Sequence, residues 1–144
     1  MSIQDNEKLA EEFISSWVAR DPDRTMALLA EGAVWHDVGI PEALRDRSSM
    51  RQHVQSWNTA FPDMVVRLAN KLASEDQVAG EVEFSGTNTG TMQMGPGAPA
   101  MPPTGKTVNG KGTFFARVQN GKFVEVHTYP DIAGMMRQLG LMPS

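Results

Sequence analysis

The feature that most restricts the fold of this 144-residue chain is a hairpin near its C-terminal end. Residues 107–118 and 122–129 are two segments of strand composition, and only the short turn "QNGK" separates them. Asn-Gly pairs tolerate the positive φ angles that a two-residue turn between antiparallel strands requires. The two segments therefore predict paired strands whose successive side chains point to opposite faces of a sheet.

The rest of the chain divides into a helical half followed by a strand-rich half. Residues 64–73 and 77–86 have strand composition and are joined by a polar turn, and a short strand is predicted at 33–37. Helical periodicity and capping residues predict helices over residues 5–19, 20–32, 47–61 and 131–140. We expect one α+β domain over residues 1–144, a cone-shaped α+β barrel with helices over the concave face of a curved antiparallel sheet.

Composition argues against several classes of partner. The net charge is −4, and the 13 Lys and Arg residues form no basic run, so we expect no nucleic-acid partner. No apolar run approaches the roughly 18 residues of a membrane span, so we expect no membrane partner. The N-terminal segment is polar and acidic, unlike a signal peptide, and the absence of cysteine fits a cytoplasmic location.

The sequence offers little for a bound metal or cofactor. It contains no cysteine, and its three histidines are widely separated along the chain. Thiolate sites are therefore excluded, and the histidine spacing matches no metal-binding motif. We expect neither a metal nor another cofactor.

Several short motifs, taken together and in order, resemble the SnoaL-like polyketide cyclase and ester cyclase family of the nuclear transport factor 2-like superfamily. The matching motifs are "FPD" (61–63), "GTNTG" (86–90), "MPPTGKTV" (101–108), "NGK" (120–122) and "DIAGMMRQLG" (131–140). The resemblance covers almost the whole chain. It implies a cystatin-like cone with an internal cavity for a hydrophobic small molecule, and a homodimer formed through the outer face of the sheet.

The same resemblance assigns positions to the cavity. The acid/base aspartate of the family's cyclases lies on the last strand at the position of Thr128, and a histidine of some cyclases falls at Phe114. Relatives often carry His or Asn at the position of His36, directed into the cavity, and an aromatic residue at that of Trp17. Positions 128 and 114 of this chain therefore carry Thr and Phe in place of the aspartate and histidine of those cyclases.

Strand alternation predicts which side chains face the cavity. If Thr128 points inward, Val126 shares its face, whereas Glu125, His127 and Tyr129 point outward. On the first strand we place His36 inward, with Trp35 and Asp37 on the opposite side. His53 lies one helical turn before Trp57 on a face directed toward the sheet.

These arguments predict a cavity with three candidate catalytic residues, His36, His53 and Thr128. The predicted ligand-binding residues are Trp17, Trp57, Met64, Phe84, Phe114 and Val126. Imidazole is suited to proton transfer near neutral pH, although each histidine could also be a polar wall residue without chemistry. The Met- and Pro-rich loop of residues 91–106 is predicted to be a lid, with disorder as the alternative.

Three functions remain open on this basis. The first is a cofactor-free acid–base enzyme, of cyclase or isomerase type, in which His36 is the base. The second is a binding protein with the same cavity and no turnover, which the absence of an aspartate at position 128 favours. Epoxide hydrolysis ranks lowest, because it needs carboxylates and the predicted inward-facing set contains none.

Overall fold

The computed structural model describes residues 2–142. The four helices are α1 (Ile3–Val18), α2 (Pro22–Met26), α3 (Arg47–Ala60) and α4 (Ile132–Leu139). The strands are β1 (Leu29–Asp37), β2 (Val65–Ala73), β3 (Gln77–Thr87), β4 (Met92–Gln93), β5 (Ala100–Met101), β6 (Thr107–Gln119) and β7 (Lys122–Pro130). The predicted helix-then-sheet order is thereby confirmed.

Five strands form one curved sheet in the order β1-β7-β6-β3-β2. The sheet does not close on itself, because β1 and β2 lie at its two edges. The predicted α+β fold class is confirmed, with one difference in strand direction: β1 joins the otherwise antiparallel sheet by pairing parallel to β7.

The β6–β7 hairpin forms as predicted. Asn120 and Gly121 adopt φ angles of 52° and 77°, which is the left-handed pair that a tight turn of this kind needs. Phe114 pairs with Thr128, and Phe115 pairs with His127. This register directs Thr128 to the helix-covered side of the sheet and His127 to the outer face.

The segment of residues 20–32 does not form the predicted single helix. Pro22 and the capping side chain of Asp21 begin α2, but the helix ends at Met26. Leu29 already belongs to β1, where it pairs with Phe123 and is buried. Gly32 therefore ends no helix; its φ of 76° lies within an irregular stretch of β1 between Leu29 and Val34.

The main core lies between α1 and the sheet. Phe13 of α1 is buried, and its ring lies 5.3, 5.5 and 5.9 Å from those of Phe114, Phe123 and Trp35. Aromatic contacts at such distances add to the stabilisation from apolar burial. Within residues 2–142, no helix has the length and apolar character needed to cross a membrane.

The long loop between β3 and β6 contains the short β4–β5 hairpin, in which Met92 pairs with Met101. The fully buried side chain of Asn88 hydrogen-bonds the start of this loop to Thr104 near its end and to Ala60 of α3. The Asn88 side-chain nitrogen donates to the carbonyl oxygens of Ala60 and Gly90, and its oxygen accepts from the backbone N–H and the hydroxyl of Thr104. Met92 is buried against α3 and α4.

We predict that Asn88→Ala lowers the free energy of unfolding by roughly 3 kcal/mol, because it leaves buried backbone groups of the loop without partners. Urea denaturation measures the change. Asn109→Ala is the matched control, since Asn109 is exposed on β6 and should change stability by less than about 0.5 kcal/mol. Equal effects of the two replacements would contradict the proposed role of Asn88.

Candidate functional site

A mostly apolar cavity of about 120 Å³ lies between α1, α3 and the concave face of the sheet. All three tryptophans of the chain, Trp17, Trp35 and Trp57, line it. Phe13 and Ile14 of α1 contribute to the same wall. An apolar, partly open cavity of this kind is the usual form of a small-molecule site.

Most of the predicted cavity residues meet at this site. The cavity is lined by His53 and Thr128 of the predicted catalytic set, and by Trp17, Trp57, Met64, Phe84 and Phe114 of the predicted ligand-binding set. Val126 points inward as expected, but it is buried in the main core with Trp35 and Ala116 and does not line the cavity. Its predicted contact with a ligand is therefore not supported.

The predicted placement of His36 in the cavity is wrong. His36 pairs with His127 across β1 and β7, and the two rings stack on the outer face with centroids 4.6 Å apart. Alternation along β1 then directs the neighbouring residues, Trp35 and Asp37, inward. Both are buried and line the cavity.

Asp37 is the carboxylate that the predicted inward-facing set lacked. Its Oδ2 accepts a hydrogen bond from the hydroxyl of Thr128 at 2.6 Å. The same oxygen lies 3.4 Å from Nε2 of His53. The other accepts from the backbone N–H of Gly39 at 2.8 Å. The Asp37 and His53 side chains are only 4% and 7% exposed.

The surroundings of Asp37 keep it ionised. Burial raises the pKa of the Asp37 carboxyl, but interactions with His53, the hydrogen bond from Thr128 and the N–H of Gly39 outweigh burial and hold the pKa below its ordinary value. A carboxylate is therefore present beside an imidazole in a largely apolar cavity at neutral pH.

The hydroxyl group of Thr128 links Asp37 to Trp35 by two hydrogen bonds. The indole N–H of Trp35 donates to the Thr128 hydroxyl at 2.9 Å, and that hydroxyl donates to Asp37. Because Asp37 pairs directly with Thr128 in the β1–β7 register, the two side chains project side by side. The carboxyl group thus comes from the strand adjacent to the position where the resemblance expected an aspartate.

Asp37 and His53 have the geometry of an acid–base pair. A carboxylate beside one ring nitrogen favours the protonated form of that nitrogen and stabilises the imidazolium that forms when the ring takes up a proton. Trp35 packs edge-on against His53, with centroids 5.3 Å apart, and limits the orientations of the ring. Such a pair can remove a proton from an activated carbon or return one.

A signal for the inward position of Asp37 was present in the sequence. Ala33 and Trp35 alternate with Val34 and His36, and the largest apolar side chain of a half-buried strand belongs on the core face. Placing Trp35 on the core face also places Asp37 there. The family resemblance at His36 favoured the opposite choice.

The long loop between β3 and β6 also lies next to Asp37 and His53, on the side away from the main cavity. A smaller crevice, of about 10 Å³, shares Asp37 and His53 with the main cavity and is completed by Met92, Gln93 and Met94. The loop therefore forms a wall next to the acid–base pair.

One group of described residues has the composition and spacing of metal ligands, and it lies outside the cavity. It consists of His36, Glu125 and His127 on the outer face of the sheet. The expectation that the histidines are too separated to suggest a metal site is therefore revised for two of the three.

Solved structures share this fold. AclR, a proposed hydroxylase from Streptomyces galilaeus, is 21% identical with a TM-score of 0.84, covering 99% of this chain and 85% of its own. TsrD from Streptomyces laurentii is 20% identical with a TM-score of 0.82, covering 99% of both chains. IdmH from Streptomyces antibioticus, a proposed polyketide cyclase, is 25% identical with a TM-score of 0.72, covering 93% of this chain and 97% of its own.

No curated protein matches the sequence. The family described as SnoaL-like polyketide cyclase, however, matches residues 7–139, which include most of α1, the whole five-stranded sheet and α4. The match therefore contains every residue of the Asp37–His53–Thr128 cluster. The chain belongs to the SnoaL-like polyketide cyclase family.

Proposed function

We propose that this protein is a cofactor-free acid–base enzyme that binds a compact, hydrophobic carbonyl compound and moves a proton at a carbon next to the carbonyl. The observation that carries the proposal is the buried Asp37–His53 pair at the wall of the apolar cavity. A cyclisation of aldol type and an isomerisation both begin with this proton transfer.

The roles we propose follow from the contacts of each residue. His53 is the base, and Asp37 holds its ring and stabilises the charge it gains. Thr128 positions Asp37 through its short hydrogen bond. The aromatic side chains of Trp17, Trp57, Phe84 and Phe114 provide the apolar contact surface for the substrate.

The size of the cavity limits the substrate class. An apolar cavity of roughly 150 Å³ holds a benzene-sized ligand. The cavity here is of similar size, at about 120 Å³, and is partly open. We therefore propose a cyclic or aromatic ketone with one or two rings rather than an extended chain.

Quenching of tryptophan fluorescence tests ligand binding, because all three tryptophans line the cavity. We predict saturable quenching by compact ring ketones. Gly110→Val should raise the Kd at least about tenfold, because a Cβ at Gly110 meets only ordinary contacts, at 3.7 Å or more, and the added methyl groups would occupy the cavity.

The matched control for this replacement is Asn109→Val, the neighbouring position on the opposite face of β6. It should leave ligand affinity unchanged, and neither variant should melt at a markedly lower temperature than the parent, since valine favours strands. Equal ketone affinity in Gly110→Val and the parent would show that the ligand does not bind in this cavity.

The alternative function is binding without turnover in the same cavity. Position 128 lacks the carboxyl group that the resemblance implies, which favours this alternative; Asp37, which supplies one nearby, favours catalysis. Saturable binding without exchange of the ketone's acidic protons would establish the binding protein. Epoxide hydrolysis, ranked lowest from the sequence for want of an inward-facing carboxylate, gains one in Asp37.

We also propose a cytoplasmic homodimer formed through the outer sheet face. Tyr129 is 48% exposed there, and Phe115 lies on the same face. Light scattering at micromolar concentration would give twice the chain mass if this is correct and the chain mass if it is not.

A further inference from the structure

The outer face of the sheet carries a second group of chemically active side chains that the cavity does not use. His36 of β1 and His127 of β7 are directly paired in the sheet, and their rings stack within 9° of parallel. Glu125 precedes His127 by two residues and therefore lies on the same face. One oxygen of Glu125 lies 2.5 Å from Nε2 of His127.

We propose that His36, Glu125 and His127 bind a divalent first-row transition-metal ion such as Zn²⁺ on the outer face of the sheet. One ligand atom from each of the three residues lies within 4.8 Å of the other two. Two imidazoles and a carboxylate form a donor set typical of Zn²⁺ and related ions, with a remaining position for water or a further ligand.

Zinc binding requires the two rings to turn out of their stack, because the nitrogen lone pairs of parallel rings do not meet at one point. Ligands bonded to zinc at about 2.0–2.2 Å lie roughly 3.3 Å from one another, so Glu125 must also move back from His127. All three residues are only partly buried in the single chain. Because Phe115 and Tyr129 lie beside the His127 ring, the homodimer proposed above would place the bound ion at the edge of the subunit contact. The strands that carry them are paired, so the backbone already holds the site together.

The charge of Arg117 has two opposing effects on the proposed metal site. The second oxygen of Glu125 lies 3.7 Å from Nε of Arg117, which orients the carboxylate and leaves its first oxygen toward the histidines. The positive charge of Arg117 also opposes a cation, so we expect weaker binding than at a closed structural zinc site.

The chain offers its own control, because His53 is the one histidine outside this group and lies in the cavity. Isothermal titration of untagged protein with Zn²⁺ at pH 7.5 should show a site whose Kd rises at least about tenfold in His36→Gln and in His127→Gln. His53→Gln should bind Zn²⁺ as the parent does.

A measurement on the parent protein does not depend on how the variants fold. Long-range ¹H–¹⁵N spectra of the histidine rings should show that Zn²⁺ shifts the ring nitrogens of two histidines and leaves those of the third, assigned to His53, in place. The proposal is overturned if no ring nitrogen shifts, if the His53 signals move instead, or if His53→Gln alone abolishes binding. The absence of any shift would leave the function proposed for the cavity untouched, because the cavity lies on the opposite face.

Discussion

Asp37→Asn is expected to slow proton transfer by about 10²- to 10⁴-fold, the usual contribution of a positioned acid–base group. Asparagine retains the shape of the side chain and can still accept from Gly39 or Thr128. It cannot stabilise an imidazolium at His53, 3.4 Å away. The apparent KM for a ring ketone should change little, because the apolar wall of the cavity is untouched.

The rate of deuterium exchange at the acidic carbon of the ketone measures this effect. His53→Gln should lose a similar factor, and the double variant should be little slower than the slower single variant, because the two residues act as a unit. Additive losses would mean that they act separately. An unchanged exchange rate in Asp37→Asn would remove Asp37 from the mechanism.

Thr128→Asp is expected to reverse the pH dependence of stability at this site. The new carboxyl would lie beside the Asp37 oxygen that Thr128 now approaches to 2.6 Å. Two carboxyl groups so close cannot both ionise readily, so one apparent pKa of the pair should rise well above the ordinary carboxyl value. We expect the variant to lose about 3 kcal/mol of unfolding free energy at pH 7.

The direction of the pH dependence follows from the two pKa shifts. In the parent, the lowered pKa of Asp37 contributes stability that is present above the ordinary carboxyl pKa and is lost as the pH falls through the folded-state value. In Thr128→Asp, a raised pKa has the opposite sign, so stability should increase as the pH falls from 7 to 5.

Urea unfolding at pH 5 and pH 7 measures the pH dependence of stability in the parent and in Thr128→Asp. Thr128→Ser serves as the control because it keeps the hydroxyl group. If Thr128→Asp has the pH slope of the parent, the new side chain does not share the environment of Asp37. Thr128→Val is expected to lower stability, since it removes both the acceptor of the Trp35 N–H and a donor to Asp37.

The sequence predicted the strand-rich half well, because its signals are local and strong. The Asn120-Gly121 turn sets the register of β6 and β7, and long alternating segments make the choice of face unambiguous. For that reason Phe84 of β3, Phe114 of β6 and Thr128 of β7 lie on the face of the sheet that the sequence predicts for them.

The main errors lie in and just before β1. The segment Leu28 to Gly32 is short, and its apolar residues fit the end of a helix or the start of a strand equally well. With only residues 33–37 assigned to a strand, the choice of face had little support. The parallel pairing with β7, which aligns Asp37 with Thr128 and His36 with His127, is a long-range contact that no local pattern encodes.

The most direct test of the central claim is a crystal structure with the ring ketone that binds most tightly. The account predicts that the ligand fills the cavity between Trp17, Trp57 and Phe114, with its acidic carbon within about 3.5 Å of a His53 ring nitrogen or an Asp37 oxygen. A ligand bound in the cavity with its carbonyl end directed away from both residues, or bound elsewhere on the molecule, would contradict it.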